Sequence, residues 1–189
     1  MVVPISYAIK GQQHAHNLAA YKGWGGSSTV QANLLALLVV FLADHGRCAV
    51  RAARATTPVG AAVVPSTRGR PGPHPLERLI SDRIALPWIP LVPNGSVGGE
   101  SRAFHRDWFS VADSPVELTG QTVLLLDDTW TTGSRVQSAA CTLKEAGAAK
   151  VVAVVLGRHV NPEYAGWKPL LDTMRERPFQ LDHCAVHGW

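Results

Sequence analysis

The chain has 189 residues, a net charge of +4 with histidine neutral, and an apolar share of 46%. That suffices for one sizeable α/β core, excludes a disordered or fibrous chain, and suits an anionic small molecule as well as a nucleic acid. Its three cysteines, Cys48, Cys141 and Cys184, are odd in number and widely spaced. They make no disulfide framework, so a reducing, cytoplasmic setting is expected.

Met1-Val2-Val3-Pro4-Ile5 carries no basic segment, long apolar stretch or small-residue cleavage site, so no secretory leader is expected. Residues 2–9 read as a strand and residues 12–21 as a helix. His14 and His16 lie two apart in that helix, on different sides, and cannot form an i,i+4 metal pair. Tyr21-Lys22-Gly23-Trp24-Gly25-Gly26 breaks the pattern. Ser27 or Ser28 then caps a long helix to about Asp44, ended by His45-Gly46. Its apolar run, 34–43, is too short to span a bilayer and reads as a buried helix. Arg47, Arg51 and Arg54 form a solvated basic face. Residues 60–64 are the next strand.

Pro65-Ser66-Thr67-Arg68-Gly69-Arg70-Pro71-Gly72 follows that strand directly, with two arginines and two hydroxyls. Residues 74–81 read as a short helix. Residues 85–92 read as a strand near a sheet edge, because Pro87 and Pro90 interrupt it. Residues 93–101 form a Gly-rich flexible stretch. Residues 102–109 then gather Arg102, His105 and Arg106 with Phe104, Trp108 and Phe109. The segment reads equally as an anion-binding arm or as a hairpin with aromatics inside and arginines in water.

The most informative stretch comes next. Thr122-Val123-Leu124-Leu125-Leu126 is a short continuous apolar run, the pattern of a buried parallel strand. Val136, Ala139, Ala140, Leu143 and Ala146 recur at helical spacing and Gly147 stops them. Residues 151–156 are a second buried strand. Between strand and helix lies Asp127-Asp128-Thr129-Trp130-Thr131-Thr132-Gly133-Ser134. The loop sits at the carboxyl end of a strand, where open α/β sheets bind ligands. Asp127 and Asp128 are two adjacent acceptors suited to ribose hydroxyls. Thr129, Thr131, Thr132, Gly133 and Ser134 lead into a helix start, which offers outward N–H groups and hydroxyls to a phosphate. Acids for a sugar and donors for its 5′-phosphate describe a phosphoribosyl site. Farther on, residues 167–175 read as a helix. Asp182-His183-Cys184-Ala185-Val186-His187 holds zinc-ligand types but lacks the second pair a structural site needs, so no metal is expected there.

The run VLLLDDTWTTGS resembles the phosphoribosyl-pyrophosphate (PRPP) signature of type I phosphoribosyltransferases. Tyr21-Lys22-Gly23, and an Arg followed by Phe before the PRPP strand, resemble the competence-protein-F (ComF) type, here without its cysteine-rich zinc ribbon. The resemblance covers about residues 60–156. It implies one doubly wound α/β domain over 1–189 with a mainly parallel sheet, a core at about 58–160, and a small hood from the terminal segments. It implies transfer of the 5-phosphoribosyl group of PRPP to a nitrogen nucleophile with release of pyrophosphate, and Mg2+ carried on PRPP.

By the same resemblance Asp127 and Asp128 hold the ribose and favour positive charge at the anomeric carbon. Thr129, Thr131, Thr132, Gly133 and Ser134 hold the 5′-phosphate. Ser66, Thr67, Arg68, Gly69 and Arg70 hold the pyrophosphate and stabilise its departure, with Arg102 and Arg106 closing on it. Arg158 and His159 line the acceptor pocket. The partners implied are PRPP and a small-molecule acceptor; the residues themselves show neither a membrane span nor a nucleic-acid footprint, and a homodimer is one assembly open to the chain. The same motif also suits a non-catalytic PRPP- or nucleotide-binding regulator, or a DNA-uptake protein of the same fold.

Overall fold

A computed structural model describes residues 1–22, 27–67, 73–95, 101–176 and 184. In chain order the elements begin with β1 (Val2–Pro4), β2 (Tyr7–Ile9), α1 (Gln13–Ala20), α2 (Ser28–Ala52), β3 (Gly60–Val63) and α3 (Pro75–Ile80). They continue with β4 (Leu91–Pro93), β5 (Phe109–Val111), β6 (Thr122–Trp130), α4 (Ser134–Glu145), β7 (Lys150–Val160) and α5 (Lys168–Glu176). The main sheet runs β1-β7-β6-β3, and β2 also pairs with β7. Every pairing in it is parallel. β4 and β5 form a separate antiparallel ribbon.

Alternation along β6 builds the two halves of the core. Val123 and Leu125 pack with Val136, Ala139 and Leu143 of α4 and with Trp108 and Phe109. Leu124 and Leu126 pack on the other face with Leu18, Tyr21, Leu34, Leu38, Leu76 and Ile80. A buried leucine contributes about 1.5–3 kcal/mol relative to an exposed one, so each helix is held chiefly by its apolar stripe. The α/β fold with a mainly parallel sheet therefore agrees with the sequence reading.

The N-terminal segment, expected in the hood, instead supplies β1 and β2 and the helices α1 and α2. Residues 2–9 form two strands in one register, since Val2 opposes Ala153 and Tyr7 opposes Arg158. Between them Ser6 Oγ donates to the Leu156 carbonyl at 2.6 Å. The core thus begins at Val3, well before residue 58.

Helix α2 does not stop at His45-Gly46 but runs to Ala52, because Ala49 packs against Val3 and Val152. A glycine costs a helix only about 1 kcal/mol, and this burial offsets it. Its true end is a left-handed residue, Arg54 with φ 49°, closed by bonds from Arg54 N–H to Arg51 C=O and Ala55 N–H to Val50 C=O. The apolar run is also less buried than expected: Leu34 and Leu38 are inside, but Val39 and Val40 are 37% and 41% exposed. At 25 residues, with mean hydropathy 1.5 in its most apolar window, α2 has the length and composition of a membrane-crossing helix. The apolar run 34–43 is one part of that longer helix.

Of residues 85–92 only Leu91 and Val92 are in a strand, β4 of the ribbon. Trp88 makes a single parallel bridge to Ala61 at the β3 edge. Pro87 and Pro90 lack the N–H a longer ladder requires.

Candidate functional site

Backbone pairing carries β6 farther than its apolar run. Asp127 opposes Val155, Thr129 opposes Gly157 and Trp130 opposes Arg158 on β7. The expected eight-residue loop is therefore mostly strand, and only Thr131, Thr132 and Gly133 separate it from α4. Gly133 takes a left-handed conformation, φ 79°, and a Cβ there would lie 2.6 Å from the Trp130 indole. Both facts require glycine. The first backbone bond of α4 runs from Gln137 N–H to Gly133 C=O at 2.9 Å, so the N–H groups of Ser134, Arg135 and Val136 precede the helical ladder. Thr132 Oγ1 lies 3.1 Å from Ser134 Oγ and accepts from Ser134 N–H at 3.4 Å, which folds the hydroxyls inward.

This helix start borders a cleft of about 550 Å³ at the carboxyl ends of β3, β6 and β7. Its walls include Ser66, Thr67, Asp127, Asp128, Thr129, Thr131, Thr132, Gly133, Ser134 and His159. Ten residues singled out in the sequence thus meet in one place. A smaller space of about 240 Å³ adjoins it beside Ser66 and His74.

The two acids are consecutive in a strand and so serve opposite faces. Asp128 is 3% exposed. It accepts from Tyr21 Oη at 2.5 Å and from Lys22 Nζ at 2.7 Å, with His74 Nε2 at 3.6 Å. His74 also caps α3, its Nδ1 accepting from Leu76 N–H at 3.2 Å. That leaves the ring proton on Nε2, facing Asp128. Burial opposes the charge of Asp128, but Lys22, His74 and Tyr21 outweigh it and hold its pKa below the ordinary range. Asp127 is half-buried, and its Oδ1 accepts from Asp128 N–H at 2.9 Å. Burial first, and the neighbouring Asp128 second, push its pKa well above the ordinary value. The site therefore holds one firmly ionised carboxylate and one whose charge is opposed.

Several residues that the site uses were not placed there by sequence reasoning. Arg135, the second residue of α4, donates from Nε to Thr67 Oγ1 at 3.0 Å and ties the loop after β3 to the helix start. Its guanidinium also lies 5.4 Å from the Trp108 ring centre. Its position just after Ser134 was the available signal. Lys22 and His74 had weaker ones: a short Tyr-Lys-Gly match, and a histidine before Pro75. Lys10 adds a further cation to the lining, and His16 lies in the same wall. His14 instead bonds Ser6 Oγ at 2.6 Å, and burial lowers its pKa.

Other expected residues lie elsewhere. Arg106 pairs with Glu145 at the far end of α4 and does not reach the cleft. Trp108 and Phe109 are buried while Phe104 is 50% exposed, and Arg106–Trp108 is a 3-10 turn leading into β5, so the hairpin reading of segment 102–109 holds for two of its three aromatics. Arg102 is exposed; only its carbonyl reaches the loop, 3.3 Å from Thr132 Oγ1. Arg158 stacks on Trp167 at 4.7 Å and is not in the cleft wall. Arg68, Gly69 and Arg70, and residues 96–100 of the Gly-rich stretch, lie outside the described residues.

No protein-family model matches the chain. No curated protein matches it either. Among solved structures it is similar to a hypoxanthine phosphoribosyltransferase from Staphylococcus aureus, with a TM-score of 0.40 and 11% identity over 71% of this chain and 76% of that one. It is also similar to a purine phosphoribosyltransferase from Pyrococcus horikoshii Ot3, with a TM-score of 0.35 and 14% identity over 68% of this chain and 89% of that one. Likeness at this level says nothing of what this chain binds.

Proposed function

We propose that the chain binds PRPP in the cleft and transfers its 5-phosphoribosyl group to a nitrogen nucleophile, releasing pyrophosphate. The observation that carries this reading is the meeting of Asp127 and Asp128 with the Thr131-Thr132-Gly133-Ser134 helix start in one 550 Å³ cleft. The 5′-phosphate sits on the N–H groups and hydroxyls of that start. Asp127 accepts from the ribose hydroxyls, and Asp128 is held rigid by Tyr21, Lys22 and His74. The pyrophosphate lies toward Ser66 and Thr67, with Arg135 beside them and Arg68 and Arg70 next in sequence. As the C–O bond breaks, two carboxylates near the anomeric carbon favour its developing positive charge. His159, on β7, faces the acceptor.

Mg2+ suits this site. A half-buried carboxyl whose charge is opposed by burial and by Asp128 is relieved by a cation in the cleft. Asp127 is the residue that would face it, and bound Mg2+ would neutralise charge on the pyrophosphate. A non-catalytic PRPP or nucleotide sensor is the second reading. It is favoured by the commitment of both Asp128 oxygens to the protein, which leaves one carboxylate for the sugar.

The test is incubation with PRPP, Mg2+ and a panel of purine, pyrimidine and amine acceptors, with pyrophosphate release and PRPP affinity both measured. Turnover with one acceptor supports the transferase. Binding that stays silent across the panel supports the sensor. No PRPP binding at all removes the transferase and the PRPP sensor.

A further inference from the structure

The extension of α2 past Gly46 has a chemical result. It places His45 and Cys48 in one continuous helix, three residues apart and hence on one face. Cys184, distant in sequence and 7% exposed, is brought against that face. The imidazole nitrogen and the two sulfurs lie within 4.8 Å of one another. The Phe41 ring stands 5.8 Å from the His45 ring and supplies an apolar flank. All three cysteines of the chain are free thiols. The cluster is outside the cleft. It adjoins the patch where Ala49 meets Val3 and Val152, toward the start of β7, whereas the cleft lies at the strand ends.

We propose that His45, Cys48 and Cys184 form a Zn2+ site. Two sulfurs and an imidazole are the donor set of borderline-soft ions, and with their atoms already within 4.8 Å of one another, small side-chain rotations bring all three to one ion at Zn–S and Zn–N lengths of about 2.3 and 2.0–2.1 Å. Three protein ligands leave the fourth tetrahedral position to water or another donor. The second ligand pair that residues 182–187 lack in sequence is supplied by α2. The site ties Cys184 to α2. Binding releases the thiol protons and creates no new covalent bond.

The test uses the full chain, reduced and freed of metal, titrated with Co2+ and then Zn2+. One Co2+ per chain is expected, with thiolate-to-cobalt charge-transfer absorption and the strong visible bands of a tetrahedral ion, displaced by one equivalent of Zn2+. Cys48→Ser and Cys184→Ser should each weaken Zn2+ binding by more than about 100-fold, beyond the cost of losing an outer-shell partner. Cys141→Ser, on α4, should leave it unchanged. Wild-type protein provides a second measurement that needs no variant: Zn2+ should protect Cys48 and Cys184, but not Cys141, from alkylation read by mass spectrometry. The proposal is overturned if the reduced chain takes up no stoichiometric Co2+ or Zn2+. It is equally overturned if the double serine variant binds as tightly as wild type, or if Zn2+ protects no thiol.

Discussion

Asp127 carries a carboxyl whose charge is opposed by burial first and by Asp128 second, so its pKa stands well above the ordinary 3.8. Between that value and the raised one the folded chain holds a proton that the unfolded chain has lost. Stability therefore falls as pH rises through that window and stays lower above it. Asp127→Asn should raise the melting temperature at pH 7, match wild type below pH 4, and weaken Mg2+-dependent PRPP binding. Melting curves across pH check this, and no gain at pH 7 would refute it. Asp128 has the reverse sign. Its folded pKa is lowered, so its contribution is present above 3.8 and lost as pH falls through the lowered value. Asp128→Ala removes the partner of Tyr21, Lys22 and His74 and should cost about 3–5 kcal/mol in a denaturant melt. The Lys22 side chain is 35% exposed, so solvent screens its pairing and reduces its share of that cost. The two acids were legible in the sequence as the end of an apolar run. Their unequal roles were not, because the partners of Asp128 come from Tyr21, Lys22 and His74, far away in the chain.

At the scale of elements, the turn into α4 depends on Gly133. Alanine there meets a left-handed backbone and the Trp130 ring together, and should cost at least about 1–2 kcal/mol while abolishing phosphate binding. In a Trp130→Ala background the collision is gone and the backbone term remains, so rescue should be partial; complete rescue would show that φ 79° is not a constraint. Arg54 closes α2 in the same left-handed region with an ordinary side chain. Arg54→Gly should stabilise by up to about 1 kcal/mol, read as a rise in melting temperature. Helices α1, α3, α4 and α5 follow the sequence within a residue or two, because 3.6-residue spacing is a local signal. α2 overran its glycine because Ala49 found a tertiary pocket, which no window of sequence contains. β6 overran its apolar run because backbone pairing to Val155, Gly157 and Arg158 does not depend on side-chain polarity.

At the scale of the whole molecule, β7 is the strand on which the rest converge, pairing with β6 on one side and with β1 and β2 on the other. Thr122 meets Lys150 across 28 positions (150 − 122), but Val2 meets Ala153 across 151 (153 − 2). Closing the longer loop costs about 1.5 kcal/mol more, so β6–β7 should pair first and β1–β7 last. Pulse-labelled hydrogen exchange during refolding should protect the amides of Ile5, Ala153 and Arg158, which bond across that edge, after those between β6 and β7. Simultaneous protection would refute the order. During synthesis the delay is imposed by the ribosome. The first two strands emerge about 150 residues ahead of their partner, a wait of roughly 8–30 s at about 5–20 residues per second. For most of it, once α2 has emerged, the nascent chain carries an unpaired strand edge and the apolar run of α2 together, and that interval is when a chaperone has most to hold.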